Sequence, residues 1–229
     1  MENKSYPTKK DIDDTLVDSC KVIVSGIPIF GSPVIELMNM LVTPKLQERR
    51  DNWFIELGER VIKLEKEGKI DYKELSKNDV FIDISIKATE VALKTHQKEK
   101  LDALRNALIN SSLNYPNIDI SMKQIFINYI DVFTIWHLKL LKLFNNPTEY
   151  KYLFPNIYSD SLGSIIEGVF PDLKGKSDIY RTIWKDLYSK DLISTESVSS
   201  SMTKDGLFQR RLTNLGLNFL EFIEEKSND

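Results

Sequence analysis

Two histidines, His96 and His137, and one cysteine, Cys20, are the chain's whole stock of imidazole and thiol for acid-base, nucleophilic or metal chemistry. A zinc site needs four clustered ligands, or three and a water. The histidines fall on separate predicted helices, far in sequence from the cysteine, so no metal site is readable and no cofactor is expected. His137 follows Trp136 in an apolar run, which predicts a packed or hydrogen-bonded imidazole; His96 lies in the polar run THQKEK and is expected at the surface. Spacing assigns no group to orient either ring as a base.

The remaining candidates are weaker in kind. Serines crowd STESVSSSMT, but no Gly-x-Ser-x-Gly elbow presents one of them, and the run reads as loop. GIPIFGSP has two glycines without the Lys-Ser/Thr of a phosphate loop or the third glycine of a dinucleotide fingerprint. Acids such as Asp83, Glu90 and Asp131 are scattered and define no site by spacing. Of the two arginine pairs, Arg49 and Arg50 sit among acids on a predicted helix and read as a solvated, ion-paired face. Arg210 and Arg211 follow a predicted turn and are the candidate contacts to a phosphate backbone. Against nucleic acid, the 229-residue chain carries a formal charge of -3, and phosphate contacts supply most of such affinity.

The elements around these residues read as helical almost throughout. From Lys45 to Glu67, apolar residues Leu46, Trp53, Phe54, Leu57, Val61 and Leu64 recur near the helical period, Thr43 and Pro44 suit a helix start, and Gly68 ends it. In the next segment Phe81, Ile84, Ala88 and Val91 make one face and Leu101, Leu104 and Leu108 another. The register slips between Thr95 and Lys100, so two helices or one with a polar middle are both compatible. SMKQIFINYIDVF and TIWHLKLLKLFNNP, the latter capped by Thr134, are the most apolar helices and the expected core.

The aromatic-rich TEYKYLFPNIYSDS shows no period and reads as a packed connection at a domain boundary. Beyond it come two helices, the second opening on Ser177 as cap, a polar stretch turning at Asp205-Gly206, and a last helix. Helix, helix, ribbon, helix is the order of a winged-helix-like module. The expected fold is therefore all-α: residues 1–155 a multi-helical bundle and 156–229 a winged-helix-like module.

Residues 22–42 pose a separate question. They are apolar enough to rival the roughly 20 residues of a membrane span, but Glu36, Pro28 and Pro33 are costly in lipid. After Pro33, the residues Val34, Leu37, Met38 and Leu41 share one face. They form either part of a buried, kinked helix, which the prolines and glycines favour, or a contact surface for a membrane or a partner. Lone Cys20 and the polar N-terminus suit a cytoplasmic protein, with peripheral membrane association as the variant. A partner protein, a membrane surface or a further copy of the chain is the expected contact.

LRNALINSS, FINYIDVFTIWHLKLLKLF, LYSKDLIS and LTNLGLNFLEFI resemble, in sequence and spacing, the helical pattern of the Abi-alpha (abortive infection alpha) family of bacterial proteins, over roughly the second half of the chain. The closing motif falls on Leu212, Thr213, Gly216, Phe219 and Leu220, with Thr213 as cap and Gly216 allowing close packing. NIDISMKQIF stands where the family has a His-Pro-Ser-Phe-like approach to the core helix, and residues 1–75 have no counterpart. The resemblance implies a part in phage defence through protein or membrane contacts, and carries over no catalytic residue. A winged-helix transcriptional regulator is the alternative expectation.

Overall fold

The computed structural model describes residues 44–225. The chain divides after Glu48, and the architecture below is that of the second unit, Arg49–Asp229. The stretch 22–42, with Val34, Leu37, Met38 and Leu41, and Cys20 lie outside the described residues.

Helix α1 (Pro44–Lys66) ends where Gly68, at φ +68°, lets its own N–H and that of Lys69 turn back onto the carbonyls of Glu65 and Leu64. A short α2 (Tyr72–Leu75) follows, then α3 (Asp79–Lys94), whose cap Asn78 accepts from the Phe81 N–H at 3.1 Å. The polar middle is a true break: Thr95 turns extended, accepts from the Gln97 N–H, and α4 (Lys98–Ser112) starts afresh. Next come α5 (Ile120–Val132), capped by Asp119, and α6 (Ile135–Asn145), separated from α5 only by Phe133 and Thr134.

The connection after α6 winds as a 3-10 helix over Pro147–Leu153 and leads into β1 (Ser159–Ser161). Then α7 (Leu162–Val169), α8 (Ser177–Ser189), β2 (Ser201–Thr203), the single-turn α9 (Lys204–Leu207) and α10 (Asn214–Ile223) complete the order. Strand β2 pairs antiparallel with β1, Asp160 opposite Met202, and a lone bridge joins Ile193 to Leu212. Apart from these short pairings the described residues are helical or looped, and the fold is all-α.

Three local expectations are corrected. Asp205 and Gly206 lie inside a helical turn, because Thr203 Oγ1 accepts the Gly206 N–H and so acts as a helix cap. Ser177 is the first helical residue of α8, with Lys176 before it and no side-chain cap. On α1, Trp53 and Leu64 are buried but Leu46 and Phe54 are exposed. Phe54 is one residue round from Trp53, and α1 meets the rest through a narrow stripe anchored where Trp53 Nε1 donates to Thr89 Oγ1 at 3.2 Å.

A single buried cluster runs from Trp53 to Ile223. Helices α3, α4 and α5 pack mutually, α10 lies on α4 and α6, and α8 lies on α6. At its centre Phe126 meets Phe219 edge-on at 5.1 Å and Phe222 at 5.8 Å. Each fully buried side chain of this kind contributes about 1.5–3 kcal/mol by leaving water. Close approach of the last helix depends on Gly216: a Cβ there would run into the carbonyl oxygen of Leu192. Thr213 caps that helix, its Oγ1 accepting the Gly216 N–H at 3.0 Å.

Candidate functional site

The most concentrated titratable chemistry lies where α5 passes into α6. His137 is the third residue of α6, and the extended Thr134 preceding that helix turns its N–H onto His137 Nδ1 at 3.1 Å. Thr134 Oγ1 stands 3.0 Å from the same nitrogen. The other nitrogen, Nε2, is 3.1 Å from Asp186 Oδ2 on α8, and Asp186 Oδ1 accepts from Lys190 Nζ at 2.5 Å. Phe133 stacks on the imidazole, 4.5 Å between centroids and 6° between planes. The Lys190 ammonium also lies over the rings of Phe133 and Tyr129, at 5.8 and 6.0 Å.

A nitrogen that accepts a backbone N–H carries no proton, so His137 holds its proton on Nε2 and donates it to Asp186. Burial pushes His137 below its ordinary value; Asp186 opposes this, and the nearby Lys190 and Lys100 reinforce it. Burial acting alone would raise Asp186, but Lys190 and His137 outweigh it and hold the carboxyl low. Lys100, buried on α4, donates to the Asp131 carbonyl at 2.8 Å, and burial lowers its pKa. Both imidazole nitrogens are committed within the chain, so the cluster fastens α8 to the start of α6.

The packed, hydrogen-bonded His137 matches the sequence expectation, and His96 is exposed at the break between α3 and α4. Asp186 as its partner was not foreseen, being 49 residues away; the Thr134-x-x-His137 spacing of a capping box was the one local signal. Ser201 and Lys204 have Ser-x-x-Lys spacing, yet the Lys204 ammonium is directed to the Pro155 carbonyl, 3.4 Å away. Asp83 and Glu90 are exposed on α3, while Asp131 pairs with Lys94 at 3.6 Å, so the three acids are not brought to one cluster. Among the described residues no group of three or more His, Cys, Asp or Glu could hold a metal ion.

The two candidate phosphate contacts part company. Arg210 is exposed, its Nε donating to the Asn145 carbonyl at 3.2 Å. Arg211 is half-buried and donates to Thr195 Oγ1 and to the Gly206 carbonyl, tying the 194–206 stretch together. Its desolvation lowers the guanidinium pKa.

Two further polar groups are structural joints. Arg105 is buried between Glu56 and Asp102, 2.7 Å from each, beneath the Trp53 ring. Asn110 Nδ2 faces the carbonyls of Glu221, Phe222 and Glu224 at the end of α10. An open polar hollow beside α2 is edged by Lys69, Asp71, Glu74 and Lys77.

Among the described residues no helix is long and apolar enough to cross a membrane. Comparison of the chain with family models, curated proteins and solved structures found no match in any of the three. The class that fold and site define is that of an all-α protein with an internally satisfied His-Asp-Lys joint.

Proposed function

We propose that this is a non-enzymatic, intracellular bacterial protein of defence or stress response that acts through contacts with a protein or a membrane. The observation that carries the binding part is the placement of apolar side chains in water on two neighbouring helices. α3 exposes Ile82 and Ile86 one turn apart, and α5 exposes Ile125 and Val132 two turns apart, Val132 at 64%. Exposed apolar residues that recur along one helix face mark contact surfaces more often than isolated ones do. The defence setting rests on the resemblance to the Abi-alpha family.

The test is fractionation of the expressed chain with and without residues 22–42. Association with membranes or with a larger complex that vanishes on deletion supports the reading, with Val34, Leu37, Met38 and Leu41 as contacts. A chain that behaves as a lone monomer in both forms overturns it.

A second reading, a winged-helix-like DNA-binding regulator, is favoured by one specific arrangement. Helices α7 and α8 are followed by the Ile193–Leu212 bridge, and α8 turns Arg181, Thr182 and Lys185 outward on one face, with Arg181 donating to Ser199 Oγ at 3.2 Å. Salt-dependent binding to duplex DNA at low ionic strength would support it; its absence would remove it.

A further inference from the structure

Helix α1 is long but barely enters the core. Among its described residues Trp53 alone belongs to the main buried cluster, to which α3 supplies Ile84, Ala88, Val91 and Ala92 and α10 supplies Phe219, Leu220, Phe222 and Ile223. Leu57 packs half-buried against that cluster, and Leu64 is buried outside it. Phe54 and Ile55 face water at 38% and 57%. A helix is fixed on a protein mainly by the apolar face it buries, and α1 buries little besides one indole.

The rest of the seam is polar. Trp53 Nε1 donates to Thr89 on α3, Glu56 meets Arg105 on α4 at 2.7 Å, and Arg60 Nη1 donates to Asn106 Oδ1, also on α4, at 2.5 Å. The two α4 seats keep partners without α1. Arg105 has Asp102 of its own helix at 2.7 Å, and Asn106 Nδ2 donates to the Ile223 carbonyl at 3.0 Å. Ser85 lies one turn before Thr89 on the same face of α3. Its buried hydroxyl has no hydrogen-bond partner among the described residues, and neither has Arg105 Nε. Water would satisfy both atoms if α1 moved off, so opening offsets part of its own cost. An aromatic anchor ringed by charged and polar contacts is the make-up of an interface between separable parts, not of a core.

The chain leaving α1 is suited to turning. Gly68 sits at φ +68°, and from there to Asn78 the only regular structure is the four-residue α2. Backbone hydrogen bonds in this stretch are local: the Lys69 N–H donates to Leu64, that of Leu75 to Asp71 and that of Asn78 to Leu75. A few such residues at the end of an element are what absorbs the dihedral change of a hinge.

We infer that α1 is a strap: residues 49–66 lift off α3 and α4 as one helix about the hinge 67–78 while α3 to α10 stay folded, baring the seat of Trp53 between Thr89 and Arg105. In sequence the apolar run 22–42 passes into α1 through Thr43, so whatever engages that run is joined directly to the strap. The inference goes beyond the binding reading above and stands without it.

The experiment is native-state hydrogen exchange of the full chain at a series of low urea concentrations, read by mass spectrometry on peptides from each helix. Trp53→Ala and Arg60→Ala accompany the wild type. Protection of the mid-helix amides of α1 should lie about tenfold or more below that of α4 and α10 and depend little on urea, because lifting one helix exposes little surface. Trp53→Ala should lower protection in α1 by about a further tenfold and leave α4, α5 and α10 unchanged; Arg60→Ala should act in the same direction more weakly. The proposal is overturned if α1 and the core share one level of protection and one urea slope, since α1 then opens only when the whole chain unfolds. It is equally overturned if Trp53→Ala leaves α1 unchanged, or if it unfolds the chain or lowers protection in α4, α5 and α10 as well, which would make α1 part of the core.

Discussion

His137 Nε2 stands 3.1 Å from Asp186 Oδ2, and this one hydrogen bond joins the first turn of α6 to the last turn of α8. Its direction is fixed from the opposite side of the ring, where the Thr134 N–H occupies Nδ1. The folded chain therefore prefers a neutral imidazole. A histidine in solution takes up a proton near pH 6.5, and burial with Lys190 and Lys100 nearby lowers that value in the folded state.

The sign of the pH dependence follows. Above about pH 6.5 neither state is protonated at this ring, and the full stability is present. As pH falls below that value the unfolded chain binds the proton first, so stability declines until the lower folded-state pKa is passed. Asp186, also held low, adds a second loss at more acidic pH, below the ordinary carboxylate range. His137→Asn keeps an acceptor for Thr134 without a titrating ring. Its melting temperature should change less than that of the wild type between pH 7 and 5; parallel curves would show that His137 does not set the slope.

Two glycines give opposite expectations from the same substitution. Gly216→Ala drives a methyl into the Leu192 backbone carbonyl, which cannot rotate away, and should cost at least about 1–3 kcal/mol as α10 is forced off the core. Gly58 lies inside α1, and a methyl added there would meet nothing within 4 Å, so Gly58→Ala should stabilise by about 0.5–1 kcal/mol through helix propensity alone. Urea midpoints that moved in the same direction would contradict the packing of one of the two helices.

Asn110 serves α10 from outside its own helix. Its amide is 1% exposed and donates to three carbonyls at the end of α10, groups that find no N–H donor within the helix. Asn110→Ala should cost about 1–3 kcal/mol, and Asn110→Asp more, since a carboxylate oxygen would then face carbonyl oxygens. If the aspartate variant is as stable as the wild type, the amide does not donate to these carbonyls.

What the sequence made legible was local. Thr213 and Gly216 announced a capped, closely packed helix three residues apart, Gly68 announced the end of α1, and Leu141, expected in the most apolar helix, is fully buried. Asp205-Gly206 misled because hairpin and helix-cap chemistry use the same small polar residues, and Thr203 three residues before Gly206 decided for the cap. The pairing of His137 with Asp186 could not be read, because side chains on α6 and α8 meet only through packing of the helices between residues 137 and 186. Nor does any periodicity tell which tyrosines of TEYKYLFPNIYSDS remain in water. Tyr150 packs against the core and Tyr152 does not, although both lie in one 3-10 turn.

Arg210 and Arg211 are adjacent in sequence and carry the same charge, but they should separate in the laboratory. Arg211 lies beneath the 194–206 stretch, with hydrogen bonds to Thr195 and Gly206 that no solvent-facing residue can replace. Arg211→Ala removes donors from partly buried acceptors, a loss of about 1–3 kcal/mol, and its melting temperature should fall. Arg210→Ala gives up one exposed hydrogen bond to Asn145 and should leave the melting temperature nearly unchanged. If duplex DNA binds at all, the exposed arginine is the one whose loss lowers the salt-dependence slope, by about one unit for one phosphate contact. A folded Arg211→Ala protein that loses DNA binding while Arg210→Ala retains it would reverse the assignment, because the guanidinium now hydrogen-bonded inside the chain would then have to turn outward to meet phosphate.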